Sequence, residues 1–482
     1  MSFIVMNEAL SSPSAGLTPF MDRRNFLRTS VLTGTGVYLA TSKGAVAQQT
    51  SPDRKLKVAL VGAGAQGKRL LESCSDIEGI QFVAVCDVWA YNRNQTAARI
   101  KHSYGDCNAY VDIDEMLAKE KDVDCVLIAV PDFLHAPFTR MALQAGKSVY
   151  CEKLMANTID AAKDMVKSQR ETGGILQIGH QRHSNPRYIN VRDNILYGNN
   201  MLGRVTHCYG QWNRGVSASV PLTTSKSTEI DAATLTKYGF GSMEEFLNWR
   251  FFSKYGGGPI ADLGAHQIDM FNWFLKSTPT SVIATGGVDY YDGKDGRAKF
   301  ELPDNVMAIY EYKLPAGTTR AYYQVLTTTG SQAYYEKLMG IDGSCVISES
   351  PTTNQIYREP NAPSWIKYSE GDNPILARSA ASVHNKWWEK PKPWFRAPSW
   401  MDVKADSRES KALEAYELGV TLARKPHSPH LENFFNCARK KDPKGLNCPV
   451  EEAFKSCVTV LKVYESIKTG AKYEFKPEDF TV

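Results

Sequence analysis

Several common devices are missing from this chain. None of its ten cysteines stands in a C-x-x-C pair or at a repeated ligand spacing, which excludes a zinc ribbon and a disulfide framework and leaves buried free thiols as the expectation. No apolar run reaches the roughly 20 residues that carry a helix across a bilayer. An excess of one charge is lacking too: 57 Lys and Arg face 52 Asp and Glu, a net of +5, spread too evenly for a nucleic-acid footprint. Collagen-like, disordered and low-complexity composition is absent as well. What remains is 482 residues, 43% of them hydrophobic, enough for two or three domains with substantial cores. A small, neutral or weakly anionic ligand suits such a chain.

The amino terminus reads as a targeting segment. Arg23-Arg24 precedes Phe26-Leu27, a mildly apolar stretch follows at 29–41, and Ala45-Val46-Ala47 supplies an A-x-A cleavage site. This resembles a twin-arginine export signal over residues 1–47. Its implication is a protein exported already folded, to the periplasm or an equivalent compartment, with any cofactor inserted beforehand.

Residues 55–61 are a short apolar run of strand length, and they lead directly into Gly62-Ala63-Gly64-Ala65-Gln66-Gly67 and a helix-compatible stretch. In a G-x-G-x-x-G turn, Gly62 permits the tight bend, Gly64 admits a pyrophosphate, and Gly67 lets helix pack on strand; Ala65 and Gln66 open the helix. A second run, 81–86, ends at Asp87, where a carboxylate accepts from an adenosine ribose. Asp87 favours NAD, and Arg93 nearby keeps NADP as the alternative. The alternation continues through 124–130, ending at Pro131-Asp132, and 148–151, ending at Glu152-Lys153. It predicts a Rossmann domain over 54–178.

Farther along, Gly256-Gly257-Gly258 opens a predicted helix to position 275. Asp262, His266 and Asp269 stand at i, i+4 and i+7, which at 100° per residue keeps them within about 60° of arc. No further ligand cluster accompanies them, so no metal is expected.

Taken together, the glycine turn, Asp87, Pro131 with His135, Ala142-Leu143 through Gly146-Lys147, Glu152-Lys153 and the helix at 256–275 resemble the Gfo/Idh/MocA oxidoreductases. Leu154 stands where that family usually has proline. The resemblance implies a nicotinamide cofactor held by Gly62, Gly64, Ala65, Gln66, Gly67, Asp87, Pro131, His135, Glu152 and Lys153. It implies catalysis by Lys153, which polarises a substrate oxygen, together with Asp262 and His266. An unperturbed imidazole near pKa 6.5 would serve as general base and acid. Arg182 and His183, with Asp262 and His266, are the implied substrate contacts, and sugar hydroxyls suit such side chains.

Short β-rich runs near 204–212, 281–290, 305–313, 320–329 and 343–349 predict a large, mostly antiparallel sheet. The fold class is therefore α/β, a Rossmann domain followed by an α+β domain over 179–426, with helices at 427–482 returning to the first domain. Residues 350–400 carry seven prolines and five tryptophans; Trp387, Trp388 or Trp394 suit a sugar face or an oligomer contact. The resemblance implies a carbohydrate substrate and a homodimer or homotetramer, and export, with no exchangeable NAD pool expected outside the inner membrane, implies a cofactor held tightly. An exported enzyme with a retained cofactor must restore it in each cycle. Net sugar oxidoreduction does so, and so does a glycosidase that oxidises transiently and eliminates. A non-catalytic sugar- and NAD-binding protein is the third reading.

Overall fold

The computed structural model describes residues 54–216, 222–371, 374–378 and 413–482. The segment 1–47 with Arg23 and Arg24 lies outside the described residues, as do Trp387, Trp388 and Trp394.

The first sheet has six parallel strands: β1 (Leu56–Val61), β2 (Ile80–Cys86), β3 (Asn108–Tyr110), β4 (Cys125–Ile128), β5 (Ser148–Cys151) and β6 (Leu176–Ile178), in the order β3-β2-β1-β4-β5-β6. Near-continuous apolar strands are what a parallel sheet covered on both faces requires, and every residue of β4 is buried. The crossovers carry α1 (Ala65–Ser73), α2 (Ala90–Tyr104), α3 (Ile113–Lys119), α4 (His135–Gln144) and α5 (Ile159–Thr172). Local chemistry sets the ends of α5. The Thr158 side chain accepts from the Ala161 N–H, and Gly173 closes the helix at φ 61°. From β1 the chain proceeds outward to β2 and later returns on the other flank at β4, so a crevice opens at their carboxyl ends.

The glycine turn fills the neck of that crevice. A Cβ on Gly62, where φ is +88°, would overlap the Ala129 carbonyl oxygen, and one on Gly67 would overlap the carbonyl oxygen of Gly62. Both obstacles are backbone and cannot swing aside. Gly67→Ala should therefore push α1 off β1 and cost about 3 kcal/mol, read by denaturant midpoint, and weaken the binding of added dinucleotide, read by native mass spectrometry. Unchanged values in both would refute the close approach.

The second sheet contains β7 (Val205–Asn213), β8 (Ser281–Gly287), β9 (Asn305–Leu314), β10 (Gly317–Leu326), β11 (Tyr334–Gly340), β12 (Gly343–Ile347), β13 (Gln355–Arg358), β14 (Leu376–Arg378), β15 (Glu414–Leu418) and β16 (Tyr473–Glu474). Their order is β14-β15-β13-β12-β11-β7-β10-β9-β8-β16. β7 runs parallel to β10, and the remaining neighbours are antiparallel. The fold class is thus α/β overall, with the mostly antiparallel second sheet that the sequence implies.

Between the sheets run α6 (Pro186–Asn190) and, after the insertion described below, α9 (Ala265–Leu275), which is almost wholly buried. The closing helices α10 (Ser428–Lys440), α11 (Val450–Leu461) and α12 (Val463–Thr469) return to the first sheet and to α9. Leu431, Phe434 and Phe435 of α10 share one core with Val58, Leu60 and Phe82. All ten cysteines are free, and nine are buried.

An insertion after β7 contributes α7 (Ala232–Lys237) and α8 (Met243–Leu247). It has its own small core of Leu235, Phe240 and Tyr255, against which Phe133 packs. It also clasps the Rossmann side. The Trp89 indole N–H donates to the Thr228 carbonyl at 2.6 Å, and the Tyr238 hydroxyl donates to Asp112. No helix among the described residues is long and apolar enough to cross a membrane.

Candidate active site

One cleft of about 1500 Å³ runs from the glycine turn to the second sheet. At its first end α1 begins behind Gly64 with no side-chain cap, so its leading N–H groups are free for an anion. A Cβ at Gly64 would meet nothing within 4 Å; this is the open cradle a pyrophosphate needs. The Asp87 carboxylate accepts from the N–H groups of Ala63 and Trp89, each at 2.7 Å. Burial raises its pKa against those two donors. Arg93 stays beside Asp87: its Nη1 donates to the Asp87 carbonyl at 2.7 Å, and its charge acts to lower the Asp87 carboxyl.

Farther in, Pro131 lines the cleft, and Gln66 joins Glu152 through a 3.1 Å hydrogen bond. His427 stands 3.0 Å from the same Gln66 nitrogen. His135 does not reach the cleft wall. It is buried, its Nδ1 lies 2.7 Å from the Leu154 carbonyl, and burial pushes its pKa down to about 4. The expectation that it contacts the cofactor is corrected: it braces the turn behind Lys153, whose peptide bond to Leu154 is cis.

Asp132, buried at the start of the turn after β4, accepts from the Gly257 N–H at 3.3 Å. Burial pushes its carboxyl up to about 7, opposed by Lys153 and reinforced by Asp262. An acid whose folded pKa exceeds its unfolded one destabilises the fold as pH rises between the two values. Asp132→Asn should therefore be more stable than the parent at pH 8, by up to about 4 kcal/mol, with the gap closing toward pH 4. Melting curves across that range check it, and a gap that widens toward acid would refute it.

At the centre, residues 260–264 form a wide π-helical turn that opens into α9, a distortion frequent at functional sites. It presents the Asp262 carbonyl to the Lys153 ammonium, which donates to it, and places Asp262 Oδ1 3.7 Å from Lys153 Nζ and 3.0 Å from Arg250 Nε. Burial alone would raise the Asp262 carboxyl. Arg250, Lys153 and Arg214 outweigh burial and hold it well below the usual range.

One turn on, His266 is 8% exposed and stacks on Trp212 at 5.5 Å between ring centroids. Its Nδ1 is buried without a partner, which leaves Nε2 for the cleft. The near-ambient pKa expected of this imidazole is corrected. Burial drives it well below 6.5, and the charges of Lys153, Arg182, His180 and His427 push the same way.

Asp269 does not line the cleft: three residues after His266 in the same regular helix, it is turned into the interior. It is buried beneath α9, accepts from Ser456 at 2.7 Å, stands 2.9 Å from His183 Nε2, and has its carboxyl held to about 2, burial being outweighed by His180 and His183. His183 is thereby consumed, and its Nδ1 faces the Asn447 carbonyl at 3.1 Å. Arg182 is buried against Glu336 and Glu349. Direct substrate contact by Arg182 and His183 is thus corrected as well; they form the layer behind the cleft. Sequence reasoning passed over Asp132, His427 and Glu349, all cleft-lining, and left Trp212, Arg214 and Arg250 unselected. Asp132 carried a legible signal, its place directly after a strand end. His427 and Glu349 carried none. Among the described residues no cluster suits a metal ion.

A family model described as an oxidoreductase family with an NAD-binding Rossmann fold matches residues 56–180, and that family's C-terminal domain matches 196–336. Together they take in more than half of the sequence. The chain belongs to the Gfo/Idh/MocA family. Lys153 falls in the first matched region, and Asp262 and His266 in the second, so both walls of the cleft are family structure. The D-glucoside 3-dehydrogenase of Escherichia coli is 29% identical over 223 residues, 46% of this chain and 54% of that protein. A glycosyl hydrolase family 109 protein of Solibacter usitatus is 29% identical over 164 residues, 31% of this chain and 36% of that one. The chain spans about half or less of the length of the first curated relatives it matches. Among solved structures, the WlbA dehydrogenase of Bordetella pertussis, in complex with NADH and UDP-GlcNAcA, has a similar fold, with a TM-score of 0.58 at 17% identity over 88% of this chain and 99% of that one.

Proposed function

We propose that the protein is an exported sugar oxidoreductase that keeps its NAD bound and restores it within each cycle. The observation that carries the reading is the convergence of Lys153, Asp262 and His266 in the cleft that begins at the glycine turn. Gly64, the uncapped start of α1 and Asp87 fit a dinucleotide, and the Asp87 carboxylate favours NAD over NADP. When bound, NAD supplies the hydride acceptor. Lys153 Nζ holds the substrate oxygen by donating to it, and Asp262 fixes that ammonium from two sides. His266 Nε2, neutral at working pH, accepts the hydroxyl proton and gives it up readily, because the surrounding cations disfavour imidazolium.

The clasp of the insertion onto Trp89 and Asp112 supports cofactor retention. Export rests on Arg23, Arg24 and the A-x-A site. An open face of the second sheet supports a homo-oligomer: Tyr209 stacks on Tyr322 and Tyr335, and Ile283 and Ile309 are exposed. Redox-assisted glycoside cleavage is the second reading, favoured by the relatives named glycosyl hydrolase family 109. A binding-only protein would not need the Lys153, Asp262 and His266 set intact.

The test is native mass spectrometry of protein expressed in the cytoplasm, followed by incubation with free aldoses and with aryl glycosides, no NAD being added. Co-purified NAD whose near-ultraviolet absorbance changes with aldose supports net oxidoreduction. Phenol release from the glycosides supports cleavage. Protein empty of nucleotide, or full but inert to every sugar, overturns both.

A further inference from the structure

The far end of the cleft holds a cation, Arg214, whose donors find no hydrogen-bond acceptor among the described residues. Arg214 follows β7, lines the cleft, and sets its guanidinium 6.0 Å from the Trp212 ring. Its side chain makes no hydrogen bond or close ion pair with any described residue, and it acts on Asp262 only through its field, behind Arg250 and Lys153. The carboxylates around it are taken. Asp262 is held by Arg250 at 3.0 Å and by Lys153. Glu349 accepts from Gln181 at 3.0 Å and from Arg182 at 3.1 Å. Asp132 is turned to the Gly257 N–H.

A partly buried guanidinium with unused donors is costly unless the missing acceptor arrives with a ligand. The planar fork of Arg matches a carboxylate in two parallel bonds. A phosphate dianion would call for a second uncommitted cation, and the neighbouring Arg250 and Lys153 are both engaged. Location argues for substrate rather than cofactor. Trp212 carries His266 on one contact and Arg214 on the other, with Tyr334 stacked on it at 4.3 Å. An anion on Arg214 therefore shares the Trp212 wall with the imidazole.

We propose that Arg214 receives a carboxylate of the substrate, so that the sugar acted on is an acid, a hexuronate or a glycoside of one. This rests on the oxidoreductase reading above and narrows its substrate class. Arg214 is then a specificity-determining residue, and the substrate anion completes the charge balance of a chamber whose own carboxylates are spent.

The experiment uses the full-length holoprotein and Arg214→Met, with hexuronates and their aryl glycosides compared with the parent neutral hexoses and with hexose 6-sulfates. Equal melting temperature and equal NAD content in the variant establish that it folds. In the parent, kcat/KM for the acid should exceed that for the neutral sugar by roughly tenfold to a hundredfold, the worth of a charged hydrogen-bonded pair. In Arg214→Met that ratio should fall toward one, mainly through KM, and Arg214→Lys should recover part of it. Neutral hexoses preferred, sulfates preferred, or a ratio unmoved by the substitution would each overturn the proposal. Calorimetric binding separates its failure from that of the underlying reading. If no sugar is turned over but the hexuronate binds the parent and not Arg214→Met, the carboxylate site stands and the hydride chemistry falls.

Discussion

Lys153→Met should lower turnover by roughly 10³-fold or more while the protein keeps its NAD. The side chain is 9% exposed, its ammonium donates to the Asp262 carbonyl, and its second neighbour is the carboxylate of the same residue. That geometry delivers one fixed positive charge to the place where a substrate oxygen gains negative character. Methionine preserves most of the buried stem, so the loss is of charge and not of packing. Asp262 retains Arg250 and is not stranded. Dinucleotide content should hold, because the glycine turn and Asp87 lie at the other end of the cleft. Single-turnover absorbance of the bound nicotinamide, read beside native mass spectrometry, separates the two effects. Less than a tenfold loss would remove Lys153 from the chemistry, and loss of NAD would make it a cofactor ligand first.

The parts of this site that the sequence disclosed are those written in local chain chemistry. A strand, a glycine turn and a helix follow one another between Leu56 and Ser73, and Asp87 and Glu152-Lys153 sit at strand ends that apolar runs already mark. The parts it concealed depend on residues far away in sequence. Nothing near His266 announces that Lys153, Arg182 and His427 will surround it and drive its pKa down. Arg182 and His183 looked like substrate contacts because polar side chains after a strand end usually face a ligand. Their partners stand at Glu336, Glu349 and Asp269, 154, 167 and 86 positions on, and those partners pull them into the interior. The second sheet was legible as β-rich runs, whereas its pairing was not: β7 lies between β10 and β11 only because long connections close around it. Asp269 shares the arc of His266 in sequence, and only its partners at His183 and Ser456 reveal that it faces the interior.

The corrected pKa of His266 changes how the site must work. An imidazole poised near neutrality could hold a proton between steps; one driven far down can only pass it through. The charges of Lys153 and Arg182 make proton departure favourable in the oxidising direction of the proposed reaction. In the reverse direction the same field makes a protonated His266 a strong acid toward a carbonyl oxygen. Basicity is low and acidity high, which suits the two-way cofactor cycle proposed above.

Arg182→Met should cost about 3–5 kcal/mol of stability, the largest effect expected outside the cleft. Arg182 is 1% exposed and is held by two carboxylates, Glu336 at 0% and Glu349 at 7%. Burial by itself would lower its pKa, and Glu336 and Glu349 reverse that and keep it charged. Removing it strands both acids. Glu336, whose Oε2 accepts from the Tyr188 hydroxyl at 2.8 Å, already sits at about 7 because of burial, with Arg182 restraining it. Without that restraint the folded state holds the Glu336 proton to still higher pH, while the unfolded chain releases it near 4.5 in both proteins. The Glu336 share of the deficit should therefore open as pH rises past about 7 and be smaller at pH 6. Urea denaturation at pH 6 and pH 9 measures it, and Arg182→Met/Glu336→Gln should regain part of the loss at pH 9, because the stranded carboxylate is gone. A single variant that loses less than about 1 kcal/mol at pH 9, or a double variant weaker than the single, would show that the pair is not the electrostatic keystone of this layer. The same substitution removes one of the cations that oppose imidazolium at His266, so whatever turnover survives should show its acid limb moved toward higher pH.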